Sequence, residues 1–228
     1  YAAGVYGKMF EEKGVKQYYS MGAKEFVLDD EGNCYKVILN DGTEIPTDLV
    51  VNAAGVRSSV EFLQGSKLEC DRFGLIFDDE GRTNVDNVFG AGDCSGRNPI
   101  WPVAVKEGIV AAYNMSGISR KMDDFFASKS TMNFLGLPSM SLGNPNRYDD
   151  THEVVIYKDP KKQIYKKVVH KDGKITGALL QGDLSYSGVL TQMIRRQIDV
   201  SKVKKPLFDI DYSDFFHMDD NFEFLYED

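Results

Sequence analysis

The spacing of apolar and polar residues changes period several times along the chain, and each change marks an element. Residues 1–14 carry Val5, Met9 and Phe10 on one side of a helix that Gly14 closes. Val15–Tyr19 and Ala23–Leu28 read as short strands. Asp29-Asp30-Glu31-Gly32-Asn33 reads as a hairpin turn, and Tyr35–Leu39 as the returning strand. After a turn at Asn40-Asp41-Gly42 comes Asp48–Gly55, a continuous apolar run suited to a central parallel strand with Leu49, Val50 and Val51 in the core. A short helix over Ser58–Gly65 and a hairpin-like piece, Gly74–Phe77 with Gly81–Thr83, follow. The helix Pro102–Ser116 has Val103, Val105, Ile109, Val110 and Ala112 on its apolar side. Between Lys121 and Asp150 periodicity fades and Met, Ser, Gly, Pro and Asn accumulate, as in a connection between domains. Beyond it, His152–Tyr157, Ile164–His170 and Ile175–Gly182 read as three antiparallel strands, covered by a helix over Gly188–Gln197 to make a small α+β unit.

One stretch of this pattern carries chemistry. Thr83 to Asp93 reads as a turn, a short strand buried on both faces (Asn87 to Phe89), and a glycine elbow, Gly90-Ala91-Gly92, ending in an acid. Glycine there allows positive φ and close approach of the backbone. Asp93 then sits at the carboxyl end of a strand, where open α/β sheets bind ligands. Trp101-Pro102-Val103 opens the next helix, with proline suited to the first turn. An acid and a helix N-terminus thus converge on one polar ligand. The plain alternative is a glycine turn ending in a solvated aspartate.

Thr-x4-Val-Phe-Gly-Ala-Gly-Asp followed by Pro-Val-Ala resembles the second FAD motif of pyridine-nucleotide-dependent flavoprotein reductases. The resemblance implies that Asp93, beside Gly92, hydrogen-bonds the flavin ribityl chain. It also implies that the helix N-terminus at Trp101, Pro102 and Val103 faces the flavin N1/C2-carbonyl edge. Reduced flavin gathers negative charge at that edge, and a helix N-terminus carries about half a positive charge. The earlier order of helix, meander and apolar run ending Ala53-Ala54-Gly55-Val56-Arg57 resembles the second half of the family's NAD-binding domain. Ala54 and Gly55 would there let the dinucleotide, or the adjoining domain, approach the backbone; close packing of strand on helix explains them equally well. Ser58 stands where the family often has proline after the arginine. The run Tyr165 to Ser201, through Gly173-Lys174-Ile175-Thr176-Gly177 and Gln181-Gly182-Asp183, resembles the C-terminal domain of rubredoxin reductases and of the flavin module of NADH-nitrite reductases.

Composition narrows the picture. The 228 residues carry a formal charge of −8, which argues against nucleic-acid binding. No apolar run approaches the roughly 20 residues needed to span a bilayer. Three cysteines, Cys34, Cys70 and Cys94, form no Cys-x2-Cys pair, which fits a reducing compartment and makes the cytoplasm the default. His152, His170 and His217 show no metal-ligand spacing. The tail from Lys202 is acidic and aromatic, with Phe208, Tyr212, Phe215, Phe216, Phe222, Phe224 and Tyr226 read as packing residues and its acidic face as a docking surface in the alternative.

The expectation is therefore an α/β chain: partial FAD/NAD(P)-binding Rossmann-like domains followed by a small α+β C-terminal domain. Residues 1–57 are read as the second half of an NAD(P)-binding domain, 58–120 as the C-terminal part of an FAD-binding domain, and 121–228 as an interface domain. No Gly-x-Gly-x-x-Gly follows a strand, so the pyrophosphate cradle is lacking. With Tyr1 in place of an initiator methionine, this suggests a carboxy-terminal portion of a longer reductase using FAD and NAD(P)H. Its electrons would go to a protein or a small inorganic acceptor, with no nucleic-acid or membrane partner. The alternative is a non-catalytic module, associating with its own copies through the C-terminal domain and holding no FAD alone.

Overall fold

The computed structural model describes residues 1–122, 129–145 and 149–226. The chain divides into two compact units, one holding Ala3–Val56 and the other Arg57–Asp228.

The first unit begins with helix α1 (Ala2–Glu12), on which Val5, Met9 and Phe10 are half-buried. Gly14, at φ +78°, turns the chain, and the Val15 N–H returns to the Phe10 carbonyl at 2.9 Å. Residues 15–19, expected as a strand, are not one. Gln17 instead donates its side-chain amide to the Gly7 carbonyl at 2.7 Å, and Tyr19 donates to Gln17 at 2.6 Å. The segment is tied to the helix by side chains, with no strand beside it.

Strands β1 (Ala23–Leu28), β2 (Cys34–Leu39) and β3 (Glu44–Pro46) form an antiparallel meander in chain order. Its turns are set by two aspartates: Asp29 accepts the amides of Glu31 and Asn33, and Asp41 that of Thr43. The central parallel strand expected over Asp48–Gly55 is absent. Leu49 and Val51, expected in the core, are 78% and 79% exposed. A central parallel strand needs a paired strand on each edge and cover over both faces, and this unit's sheet ends at β3.

In the second unit, the short helix expected at Ser58–Gly65 is a single 3₁₀ turn, Glu61–Leu63. The hairpin-like piece and the strand expected at Asn87–Phe89 shrink to two isolated bridges, Cys70 with Leu75 and Arg82 with Phe89. Val88 and Phe89 are half-buried rather than enclosed, and Asn87 is exposed at φ +62°. Thr83 closes this turn, its hydroxyl donating to the Val88 carbonyl at 2.8 Å. Such tight reversals leave too few residues for a ladder.

Helix α2 (Trp101–Met115) buries Val103, Val110, Ala111 and Asn114. Val105, Ile109 and Ala112, expected on the buried side, are exposed. Asn114 explains the choice of face. Its amide donates to the carbonyls of Glu80 (2.9 Å) and Arg120 (2.6 Å), and its oxygen accepts the Arg120 N–H at 3.1 Å. A buried amide must be satisfied, and these backbone partners lie on one side of the helix.

The main core belongs to a five-stranded antiparallel sheet of order β4-β5-β8-β7-β6. Its strands are β4 (Lys129–Phe134), β5 (Leu137–Gly143), β6 (Glu153–Asp159), β7 (Ile164–Lys171) and β8 (Lys174–Gln181). Five strands replace the three expected. The extra pair falls where a connection was read, because β4 is an edge strand exposed throughout and β5 mixes serines and glycine with its apolar residues. The remainder of that connection, residues 123–128 and 146–148, lies outside the described residues. Helix α3 (Ser187–Arg196) lays Leu190, Met193 and Ile194 on Met140, Leu142, Val168, Ala178 and Leu180, all in one cluster. Arg195 and Arg196 occupy its last turn, complementing the helix dipole. From the tail, Ile210 is buried in the cluster, with Phe208 and Phe215 packed against it. The Tyr186 hydroxyl donates to the Leu207 carbonyl at 3.0 Å and contacts that of Ile210. Phe222 is exposed. Strands β9 (Phe216–Met218) and β10 (Phe224–Tyr226) form a terminal hairpin, and the side chains of Phe216, His217, Phe224 and Tyr226 are outside those described.

Candidate functional site

The glycine elbow is fastened at each of its corners. Gly90 is buried, donates to the Gly81 carbonyl at 2.9 Å, and lies so close to the Phe77 ring that a Cβ would overlap it. Gly92 takes φ +79°, and a Cβ there would come within 3.3 Å of that of Ala104 on α2. Its N–H donates to the Glu107 carboxylate at 2.7 Å. Gly92–Ser95 then forms a 3₁₀ turn. The Asp93 carbonyl accepts the Ser58 hydroxyl at 2.6 Å and the Gly96 N–H at 3.0 Å. The Asp93 side chain is exposed, and its carboxylate has no hydrogen-bond or ion-pair partner among the described residues. Cys94 points back into the turn, its thiol donating to the Ala91 carbonyl at 3.2 Å.

Helix α2 starts with Ile100 at the N-cap, no side-chain cap, no acid in the first turn, and Pro102 inside that turn. Among the described residues, no side chain therefore caps its positive end and no acid of its first turn offsets it. Val103, 2% exposed, anchors the turn, while Trp101 is 82% exposed and Pro102 is exposed. The structure thus ties Gly92 to α2 through Ala104 and Glu107 and leaves the Asp93 carboxylate and the α2 N-terminus open. Ala54 and Gly55 belong to the first unit, on an exposed irregular segment that bends at Ala54. Gly55 is needed for its φ of +100°, since a Cβ there would meet nothing within 4 Å.

Three supporting groups were not legible beforehand. Burial pushes the Glu107 carboxyl above its ordinary range; the Gly92 amide opposes this, and the nearby Asp93 charge adds to it. Asp71 carries a small network: the Phe73 amide, then the Gly74 amide and the Arg97 guanidinium at 2.7 Å hold its carboxyl below the usual range. Ser58, Glu107 and Asp71 each act across a long sequence separation or through a turn, so no local pattern marks them. A cleft of about 230 Å³ borders the elbow, lined in part by Asp78, Asp79, Ser95, Arg97 and Glu107. Among the described residues no group of three His, Cys, Asp or Glu is gathered, and no helix is long and apolar enough to cross a membrane.

With the elbow and helix in place, comparison with known families is decisive. Residues 2–108 match the family described as pyridine nucleotide-disulphide oxidoreductase, and residues 129–198 the rubredoxin NAD+ reductase C-terminal domain. The chain belongs to the pyridine nucleotide-disulphide oxidoreductases. The family depends on FAD and NAD(P)H. Among curated relatives, a nitrite reductase (NAD(P)H) of Bacillus subtilis is 29% identical over 201 residues, covering 86% of this chain and 24% of that protein. The NADH-dependent phenylglyoxylate dehydrogenase subunit epsilon of Aromatoleum evansii is 28% identical, covering 89% of this chain and 50% of that protein. The chain therefore spans between about a quarter and a half of these relatives. Solved structures with the same fold include an NAD-dependent persulfide reductase from A. fulgidus (TM-score 0.67, 21% identity, 85% of this chain and 40% of that one). A putidaredoxin reductase in covalent complex with putidaredoxin is similar too (TM-score 0.68, 16% identity, 85% and 48%).

The residues fit one end of an FAD. An open carboxylate suits the ribityl hydroxyls, and an uncapped helix N-terminus suits an edge that gathers negative charge. No glycine fingerprint in the sequence offers its phosphates a cradle.

Proposed function

We propose that this chain forms part of an FAD-dependent NAD(P)H oxidoreductase and contributes the ribityl and ring-edge half of its flavin site. The supporting observation is the elbow itself. Four residues are fixed by Phe77, Ser58 and Glu107, yet the Asp93 carboxylate and, at the start of α2, Trp101 and Pro102 remain exposed. Asp93 would bind ribityl hydroxyls, and the N-terminus at Trp101–Val103 would stabilise negative charge on the reduced ring. Bound flavin would supply the hydride acceptance and electron delivery; the protein's share is position and electrostatics. No side chain of this chain is assigned acid–base or nucleophilic work.

In this reading residues 1–57 contribute to NAD(P) binding, with Ala54 and Gly55 at the dinucleotide side, 58–120 to flavin binding, and 121–228 to an interface. The electron acceptor is a small protein or an inorganic species, a range spanned by the nitrite reductase and putidaredoxin reductase named above. The cytoplasm suits three unpaired cysteines. A second reading, that the 228 residues alone are a non-catalytic association module, is favoured by the exposed Leu49–Val51 segment and the missing phosphate cradle. Measuring flavin content separates the two. The isolated chain should retain well under one FAD per chain through gel filtration, and the product of the complete reading frame should retain about one and be bleached by NAD(P)H. A colourless full-length product would refute the oxidoreductase reading.

A further inference from the structure

We propose that Glu107 is a positioning residue for this site, setting the Gly90–Asp93 elbow in the conformation that presents Asp93 to the ribityl hydroxyls. The inference rests on the flavin reading above. Gly90 is held by Phe77 and Gly81, and the Asp93 carbonyl by Ser58. Between them Gly92 has positive φ and no side chain, which makes it the most adaptable point of the elbow. Its N–H is its one donor, and Glu107, fifteen residues along the chain, accepts it at 2.7 Å from within α2. The bond therefore couples the elbow to the helix whose N-terminus completes the same site. A carboxylate does this more strongly than a neutral acceptor, since hydrogen bonds to ionised groups are about twice as strong.

The charged groups around Glu107 bear on its titration. Asp93 adjoins it through the elbow, Asp78, Asp79 and Arg97 share its cleft, and Lys106 neighbours it on α2. Burial and the Asp93 charge delay its ionisation to higher pH than for an ordinary glutamate, so the charged bond to Gly92 forms above that shifted midpoint.

The test begins on the ligand-free 228-residue chain, ¹⁵N-labelled, as wild type, Glu107→Gln and Glu107→Ala. In the wild type the Gly92 amide resonance should move with pH in step with the Glu107 carboxyl. Glu107→Gln, which keeps an acceptor oxygen, should abolish that titration and hold Gly92 exchange within about threefold of wild type. Glu107→Ala should speed exchange by about tenfold, roughly the loss of one hydrogen bond. In the product of the complete reading frame, Glu107→Ala should weaken FAD binding about tenfold and Glu107→Gln should restore most of it. A Gly92 amide insensitive to pH and to Glu107→Ala overturns the positioning role. So does unchanged FAD affinity in Glu107→Ala while Asp93→Ala loses flavin. If Asp93→Ala also leaves FAD affinity unchanged while the Gly92 amide responds as expected, it is the flavin reading that falls, and the positioning role with it.

Discussion

Ser58 donates its hydroxyl to the Asp93 carbonyl at 2.6 Å, joining residues 35 positions apart. The bond fixes the backbone of Asp93 without touching its carboxylate, so the acid is held in place and left available. Removing a typical internal hydrogen bond costs about 1 kcal/mol. Ser58→Ala should therefore lower the melting temperature of the second unit by roughly 2–4 °C. Differential scanning calorimetry on the 228-residue chain measures it; an unchanged melting temperature would mean that the clamp carries no weight.

Gly96 ends the same turn in the left-handed region, at φ +63°, with the Phe73 carbonyl where a Cβ would go. Strain and backbone overlap act together here, and neither can relax through a flexible side chain. Gly96→Ala should destabilise the second unit by about 3 kcal/mol or more. Urea unfolding checks this, and a cost below about 1 kcal/mol would contradict the geometry.

Leucines in the two units should differ sharply. Leu190 is fully buried between α3 and the five-stranded sheet, whereas Leu49 is 78% exposed. Leu190→Ala should cost about 2–5 kcal/mol. Leu49→Ala in the same chain should stay within about 0.5 kcal/mol. Denaturant midpoints of the two variants give the comparison directly.

Asp183 accepts the Lys166 ammonium at 2.7 Å, and that bond, followed by those from Ser185, depresses its carboxyl well below the usual range. A carboxyl whose folded pKa is depressed contributes stability that is present above its unfolded value, about 3.9. That stability is lost as pH falls below it. The pair is partly exposed, so solvent limits its worth to about 1 kcal/mol or less. Asp183→Asn should lower stability at pH 7 by that amount, and the difference from wild type should shrink below pH 4. Chemical denaturation at pH 7 and pH 3 measures both.

The sequence made some of this legible and concealed the rest for physical reasons. Elements whose hydrogen bonds are local, such as α1, the Asp29–Asn33 turn and α3, follow from short-range pattern and appear where expected. Asp48–Gly55 has the composition of a buried strand, but strand formation depends on neighbours that periodicity within the segment does not supply. Strand β4 failed in the opposite direction: its partner β5 makes it a strand, although none of its side chains is buried. At the site, the glycine and aspartate spacing pointed to Gly92 and Asp93. Ser58 and Glu107 stayed hidden because a serine and a mid-helix glutamate gain their roles only when the turn folds onto them.

The central claim is that Asp93 anchors flavin. The most direct measurement is the FAD-to-protein ratio of Asp93→Ala beside wild type, both purified from the complete reading frame, with circular dichroism to establish that the fold is intact. The account predicts about one flavin per wild-type chain and loss of most of it in Asp93→Ala, with unchanged secondary structure. Undiminished flavin in a folded Asp93→Ala protein would contradict it.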